Sequence, residues 1–345
     1  MKAVIFKLNA FGDNVVFVSA VQELRRRCPE MDITLITTPN EAELYGGPLA
    51  PQRILTSTKK AFNKSYRRPW VLASWVLRVR NLRPDACLLA FDQGSAAHVI
   101  ASLSGARIRI GGNVAQRRIS APLTEDIALP EDGRPVTWNW RMARALARSS
   151  GQAAGWSDLA PAPDLRHLIK DEGEAGGTRR RVIVHAGASR TLNRWDKSRF
   201  ARVAESLSSD CDVFWVIHGE ATGTPPRGVT GVEVQSIGQL ANLFARADLF
   251  VGNNSGPMHL ANALGCKGVV VTGSSAAGWD PYWHRDRWSV LRHPNLYCAP
   301  CEKPNGPASA CANLENPMAC MEYWSSAMVE AACRSRLGLP VGPPR

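Results

Sequence analysis

The stretch Leu249-Phe250-Val251-Gly252-Asn253-Asn254-Ser255-Gly256-Pro257-Met258-His259-Leu260-Ala261 decides the fold. An apolar run leads into a Gly/Asn/Ser turn, and a helix-compatible run leads out of it. A strand that turns in this way into a helix leaves backbone N–H groups unpaired, and these donors and the helix dipole both favour an anion. Pro257 fits the first helical turn, where its missing N–H costs nothing. A second element of the same kind lies upstream. Val182-Ile183-Val184 reads as a strand, followed by His185-Ala186-Gly187-Ala188-Ser189-Arg190 and Asn193-Arg194-Trp195. Either turn alone could be an ordinary βα connection. Two of them in one half of a chain point to a diphosphate ligand, a nucleotide.

Working outward, strand and helix patterns alternate along the whole chain. Strands are expected over 3–7, 32–37, 86–91 and 107–110, and helices over 15–27, 41–45, 70–81, 96–103 and 138–148. The second half repeats the scheme, with strands at 181–184, 213–217, 249–251 and 268–271 and helices at 197–207, 237–245 and 258–264; the tail after Cys320 looks helical through Val329. Such alternation implies parallel sheets covered by helices on both faces, an α/β class. Pro, Gly and charge accumulate over 159–180. This divides the chain into a domain over 1–165, a linker over 166–180 and a domain over 181–345, with a cleft expected between two doubly wound sheets. Both phosphate turns follow strands of the second domain, which would hold the nucleotide, while the acceptor would rest on the first.

The 345 residues contain 45% hydrophobic and 21% charged residues, as in ordinary globular proteins. No apolar run is long enough to cross a bilayer, and the N-terminus lacks a secretory h-region, so a cytoplasmic location is expected. The net charge is +12, and residues 1–160 carry 22 Lys/Arg against 13 Asp/Glu, or +9 of that excess. The densest part is acid-free between Glu43 and Asp85 and includes Arg53, Lys64, Arg67, Arg68 and Arg83, interleaved with Phe62, Tyr66, Trp70 and Trp75. A basic surface with aromatic anchors suits an anionic glycan or a lipid surface, allowing a peripheral inner-membrane contact, unless it is simply a solvated face. No nucleic-acid module is recognisable.

Cys298, Cys301, Cys311 and Cys320 form a C-x2-C-x9-C-x8-C cluster within 298–320. In a reducing compartment such spacing fits a structural zinc or iron held by thiolates, or else a reduced, loop-stabilising cluster. In the first domain, Gly12-Asp13 closes the first strand and opens the first helix. Asp13 reads as lying at or near the N-cap of that helix, and a carboxylate at the carboxyl end of strand one can also serve as a general base.

The chain resembles glycosyltransferase family 9, the ADP-heptose:lipopolysaccharide heptosyltransferases, which have the GT-B fold of two Rossmann-like domains facing a central cleft. The resemblance rests on Gly12-Asp13, on Phe91-Asp92-Gln93-Gly94, on Ala186–Arg190 before Asn193-Arg194-Trp195, on Asn253–Ala261 and on the Cys298-Ala-Pro-Cys301 segment. It implies inverting transfer of a heptose from an ADP-sugar to a hydroxyl of an anionic or lipid-linked glycan such as lipopolysaccharide core. No cofactor would be needed for catalysis. Asp13 would be the base and Arg194 a cation at the leaving phosphate. Gly187, Ala188, Ser189, Arg190, Asn193, Asn254, Ser255, Gly256, Pro257, Met258 and His259 would bind the donor; Lys64, Arg67, Arg68, Asp92 and Gln93 would bind the acceptor. The family often has Lys where Asn193 stands and usually Asp where Asn254 stands. Arg190 or Arg194 would then supply the missing cation. A small natural product or a protein as acceptor, and a GT-B-like nucleotide-binding protein without transfer activity, stay open.

Overall fold

The computed structural model describes residues 1–91, 93–112, 122–170, 178–218, 222–301, 308 and 310–341. The chain forms two compact units, Met1–His167 and Leu168–Arg345. In the first unit β1 (Lys2–Lys7), α1 (Phe11–Arg27), β2 (Asp32–Thr37), β3 (Ile54–Thr56), α2 (Lys59–Asn63) and α3 (Pro69–Asn81) are followed by β4 (Ala86–Leu89), α4 (Ser95–Leu103), β5 (Ile108–Gly111), β6 (Glu125–Asp126) and α5 (Pro135–Ser149). Its six strands run parallel in the order β3-β2-β1-β4-β5-β6.

The second unit contains β7 (Arg180–His185), α6 (Lys197–Leu207), β8 (Cys211–Ile217), β9 (Thr230–Glu233), α7 (Ile237–Ala245) and β10 (Leu249–Asn253). They are followed by α8 (Gly256–Ala263), β11 (Gly268–Thr272), β12 (Trp288–Arg292), α9 (Ala319–Glu322) and α10 (Ser326–Leu337). Its sheet order, β12-β11-β10-β7-β8-β9, is the same doubly wound topology, and every pairing is parallel. In each unit the strand order reverses between the first and fourth strands, β1/β4 and β7/β10. The loops at their carboxyl ends therefore part and leave a crevice there.

Local chemistry explains the elements. The central strands β4, β10 and β11 are buried along their whole length, as expected of strands covered on both faces. Helix α6 starts where the Asp196 carboxylate accepts from Ser198 N (2.6 Å) and Arg199 N (3.3 Å). Helix α7 starts with a full capping box of Ser236 and Gln239. Helix α1 begins at Phe11 without a side-chain cap, so Asp13 stands inside the first turn, where its charge complements the helix dipole. Helix α10 adds Val329, Cys333 and Leu337 to the core built on β7, β10 and β11.

The outer pair of the second sheet is tightly fitted. Gly268 of β11 lies in register with Trp288 of β12, and a Cβ on Gly268 would sit 2.3 Å from the Trp288 ring. Gly268→Ala should therefore destabilise the second unit by about 1–3 kcal/mol through overpacking. The urea-unfolding midpoint measures this, and an unchanged midpoint would refute the account.

Candidate active site

In the second unit three loops meet at the carboxyl ends of the adjacent strands β7, β10 and β11. The Asn253 carboxamide, fully buried at the end of β10, joins two of them. Its Oδ1 accepts from Trp195 N (2.9 Å), and its Nδ2 donates to Ala186 O (2.8 Å) and Gly187 O (3.4 Å). The Gly187–Ser189 turn is thereby fixed beside the Asn254–Gly256 turn. Gly252, one residue before the carboxamide, allows this approach: a Cβ there would lie 2.7 Å from His185 O. Helix α8 opens on Ser255, whose side chain makes no cap, so the amides of the first turn are not consumed by a side-chain oxygen.

The expected donor residues divide by what they expose. Ser255, Gly256 and Pro257 are half-buried at the turn and Ser189 is exposed, whereas Met258 is wholly buried and can face a ligand only through its backbone. His259 is buried against the Trp279 ring, with centroids 5.9 Å apart. Arg194 folds back over the first turn, donating from Nε to Ala188 O (2.6 Å) and from Nη2 to Ser189 O (3.4 Å), which sets its guanidinium at that turn. Arg190 is half-buried in the same loop.

Asn193 and Asn254 belong to one hydrogen-bonded network. Asn193 donates from Nδ2 to Ser275 Oγ (2.7 Å) and accepts from Ser274 Oγ. Arg292, the last residue of β12, donates to Ser275 O, to Thr272 Oγ1 (3.4 Å) and to Asp280 Oδ1 (2.8 Å). Asn254 donates from Nδ2 to Thr272 Oγ1 (3.2 Å) and Asp280 Oδ1 (3.3 Å). Sequence reading passed over Asn253, Asp280 and Arg292 as site residues. For the last two, a signal was available in a third Gly/Ser turn after a strand, Thr272-Gly273-Ser274-Ser275.

In the first unit another carboxamide bridges the corresponding point. Gln93, after β4, accepts from Leu8 N (3.1 Å) and donates to Asn9 Oδ1 and to Phe91 O (3.1 Å). Gln93 is buried, with its amide engaged inside the unit. Asn14 extends the network, donating to Asn9 O and Ala10 O and accepting from Thr37 Oγ1 and Tyr45 OH (2.9 Å). Asp13 is half-buried on the same turn; burial, then the charge of Glu41 and last that of Asp13, hold the Tyr45 phenol well above its ordinary value. Lys7 is enclosed at the end of β1, with its ammonium 5.4 Å from the Phe17 ring centroid and 5.8 Å from that of Phe91.

Lys64, Arg67 and Arg68 are exposed. Of the interleaved aromatics, Trp70 is 71% exposed, whereas Phe62 and Trp75 pack edge-to-face in the core at 5.2 Å. Asp92 lies outside the described residues.

The four thiols of the C-terminal segment lie near enough to influence one another electrostatically. Burial first, then Cys298 and Cys311, raise the Cys301 thiol. Cys320 is pushed up to about 11 by burial and then by Cys301, Cys311 and Cys298. Among the described residues no three His, Cys, Asp or Glu side chains are arranged as metal ligands. The segment also braces the nucleotide-type turns: Trp195 Nε1 donates to Trp324 O (3.1 Å), and a Cβ on Gly273 would lie 2.9 Å from Met321 Cε.

Doubly wound sheets with two anion-type turns at one switch point define a nucleotide-binding class of α/β protein. The chain belongs to glycosyltransferase family 9 (heptosyltransferase), whose sequence profile matches residues 76–309. Lipooligosaccharide heptosyltransferase 2 of Campylobacter jejuni subsp. jejuni serotype O:2 is 28% identical over 137 residues, which cover 36% of this chain and 43% of that protein. The match thus spans less than half of the curated relative's length. Among solved structures, the Escherichia coli heptosyltransferase WaaC, determined with ADP, is similar with a TM-score of 0.68 at 14% identity, over 97% of this chain and 100% of the other. The iron-containing dodecameric glycosyltransferase TibC from enterotoxigenic E. coli H10407 aligns with a TM-score of 0.60 at 13% identity, over 98% and 76%. These likenesses establish the GT-B type of fold expected from the sequence. No helix among the described residues is long and apolar enough to cross a membrane.

Two buried imidazoles at the second unit's turns make its stability depend on pH. Burial, and for His185 also the charge of His218, lower both His185 and His259 to about 4. Unfolded, each would titrate at the ordinary 6.5, so the unfolded chain binds more protons below that pH. This contribution is complete above about 6.5 and is lost as pH falls toward 4, by on the order of 3 kcal/mol per imidazole. Urea midpoints measured from pH 7 to 4 should fall, and the fall should be shallower in His185→Gln. An identical slope in the variant would overturn the assignment.

Proposed function

We propose that this protein is an inverting glycosyltransferase that moves a heptose from ADP-heptose to a hydroxyl of an anionic glycan such as lipopolysaccharide core. The observation that carries the reading is the pair of anion-type turns locked together by Asn253 at the switch point of the second unit. The family and the ADP named with the similar WaaC structure support the choice of donor. The backbone donors of Gly187–Ser189 and of the first turn of α8, with the Arg194 guanidinium, stabilise the negative charge of the departing ADP. Asp13 removes the proton of the acceptor hydroxyl as it attacks the anomeric carbon. No cofactor takes part in transfer. Basic residues Lys64, Arg67 and Arg68 and the exposed Trp70 receive the anionic or lipid-linked acceptor, in a cytoplasmic protein with peripheral membrane contact.

Calorimetric titration with ADP, UDP, GDP, CMP and ADP-heptose tests the donor: ADP should bind selectively and ADP-heptose more tightly. Asp13→Asn should lower kcat for transfer to a lipooligosaccharide-core acceptor about 10²- to 10⁴-fold while leaving ADP affinity within about twofold. A preference for UDP or GDP would overturn the donor, and an unchanged kcat would remove Asp13 from its role.

The four thiols also support a structural zinc or iron at Cys298, Cys301, Cys311 and Cys320. Thiolates suit either metal; burial is the main cause that raises Cys301 and Cys320, and a cation would relieve the smaller mutual repulsion that adds to it. Iron is the metal named with the similar TibC structure. Metal analysis of the purified protein should find about one zinc or iron per chain. Cys301→Ser should lose that metal and lower the melting temperature. A metal-free preparation with the same melting temperature as Cys301→Ser would exclude the site.

A further inference from the structure

We infer that Asp280, clamped by Arg292, is the residue that positions Asn254, fixing its carboxamide so that Oδ1 is held as a hydrogen-bond acceptor for a hydroxyl of the donor sugar. The inference rests on the nucleotide-sugar reading given above.

Asn254 occupies the last position before the Ser255–Gly256 turn, and its residue surface is 5% exposed. Both hydrogens of its Nδ2 are engaged, by Thr272 Oγ1 (3.2 Å) and by Oδ1 of the half-buried Asp280 (3.3 Å). A carboxylate can only accept, so the edge of the amide that faces Asp280 must be the donor edge. The carbonyl edge is then turned the other way. Asp280 cannot swing aside, because Arg292 Nη2 holds the same Oδ1 at 2.8 Å while another nitrogen of that guanidinium is anchored on Ser275 O. Thr272 Oγ1 lies within reach of both Asn254 and Arg292, which closes the network. The loop that carries Asp280 is docked on the same turn through the contact between Trp279 and His259.

A carbonyl oxygen left free by that orientation cannot bind a phosphate, which also only accepts. It can receive a hydroxyl. The amides of Ser255–Gly256 lie next to it at the helix N-terminus and suit the terminal phosphate. A hydroxyl on the group joined to that phosphate, the transferred sugar, is therefore the chemical match.

The arrangement also makes positions 254 and 280 interdependent. An acid at 254 would place two carboxylates within hydrogen-bonding distance, where both cannot ionise freely. Exchanging the two residues would again set one amide against one carboxylate, but with Arg292, which donates to the same Oδ1 as Asn254, facing an amide in place of the carboxylate.

The test is a double-mutant cycle on the full chain, read as the ratio of ADP-heptose to ADP affinity by calorimetry, with circular dichroism confirming folding. Asn254→Asp and Asp280→Asn should each reduce the ratio, by about 30-fold and about tenfold, with ADP affinity unchanged. In the double variant N254D/D280N the loss should be coupled, staying within about threefold of that of Asn254→Asp alone. Losses that simply multiply in the double variant, or ADP affinity that falls in parallel with ADP-heptose affinity, would overturn the inference and leave the donor reading standing. An unaltered chain that binds ADP-heptose no better than ADP would overturn both.

Discussion

The Asn253 carboxamide is the constraint on which the second unit's site depends. Its two bonds to Ala186 O and Gly187 O and its acceptance from Trp195 N cross a gap that the reversal of strand order opens between β7 and β10. Without it, only the β7–β10 pairing, which ends at His185 and Gly252, would relate the two turns, and nothing would tie the residues beyond it into one anion site. The cost of burying an amide is offset because both its carbonyl and its NH2 group are paired. Gln93 performs the same bridging in the first unit, from the β4 side to Leu8 N after β1, and so holds the turn that carries Asp13. Two sheets of the same winding thus solve the same problem with the same functional group.

Around this staple the site is made rigid by neutral and paired groups more than by free charge. Asn193 and Asn254 are both buried and both engaged by the β11 loop. Arg292 connects them through Ser275 and Asp280. Preorganised dipoles of this kind cost no rearrangement when charge develops on a leaving group. The cysteine segment extends the support, because Trp324 accepts from the Trp195 indole and Met321 fills the space over Gly273.

The alternation of patterns made the two sheets legible, and α6 and α7 fall where the sequence places them, at 197–207 and 237–245, since Asp196 and Ser236 mark their starts chemically. Strands β3, β6, β9 and β12 were not legible. β6 is two acidic residues and β9 reads Thr-Gly-Val-Glu; both lie at a sheet edge, where no apolar run is required. Helix α1 starts four residues earlier than its apolar pattern, because Ala10 gives no capping signal, and this moves Asp13 from the N-cap into the first turn. The turns themselves could be read from local Gly, Ser and Pro chemistry. The network that orients them could not, because its bonds join residues far apart in the chain, such as Trp195 with Asn253 and Leu8 with Gln93. The basic segment shows the opposite error: two of its aromatics, Phe62 and Trp75, serve the core and not the surface.

The placement of α10 has a consequence for how the protein is made. The first unit ends at His167 and holds all of its own strands and core helices, so it can fold while the rest is still being translated. The second sheet completes its core later, since Val329, Cys333 and Leu337 pack into the core on which β7, β10 and β11 rest. At roughly 5–20 residues per second, on the order of ten to thirty seconds separate the two events. During that interval β7, β10 and β11 can be covered by α6 but not by the three α10 side chains that complete their core, so this half of the chain keeps apolar surface open the longest.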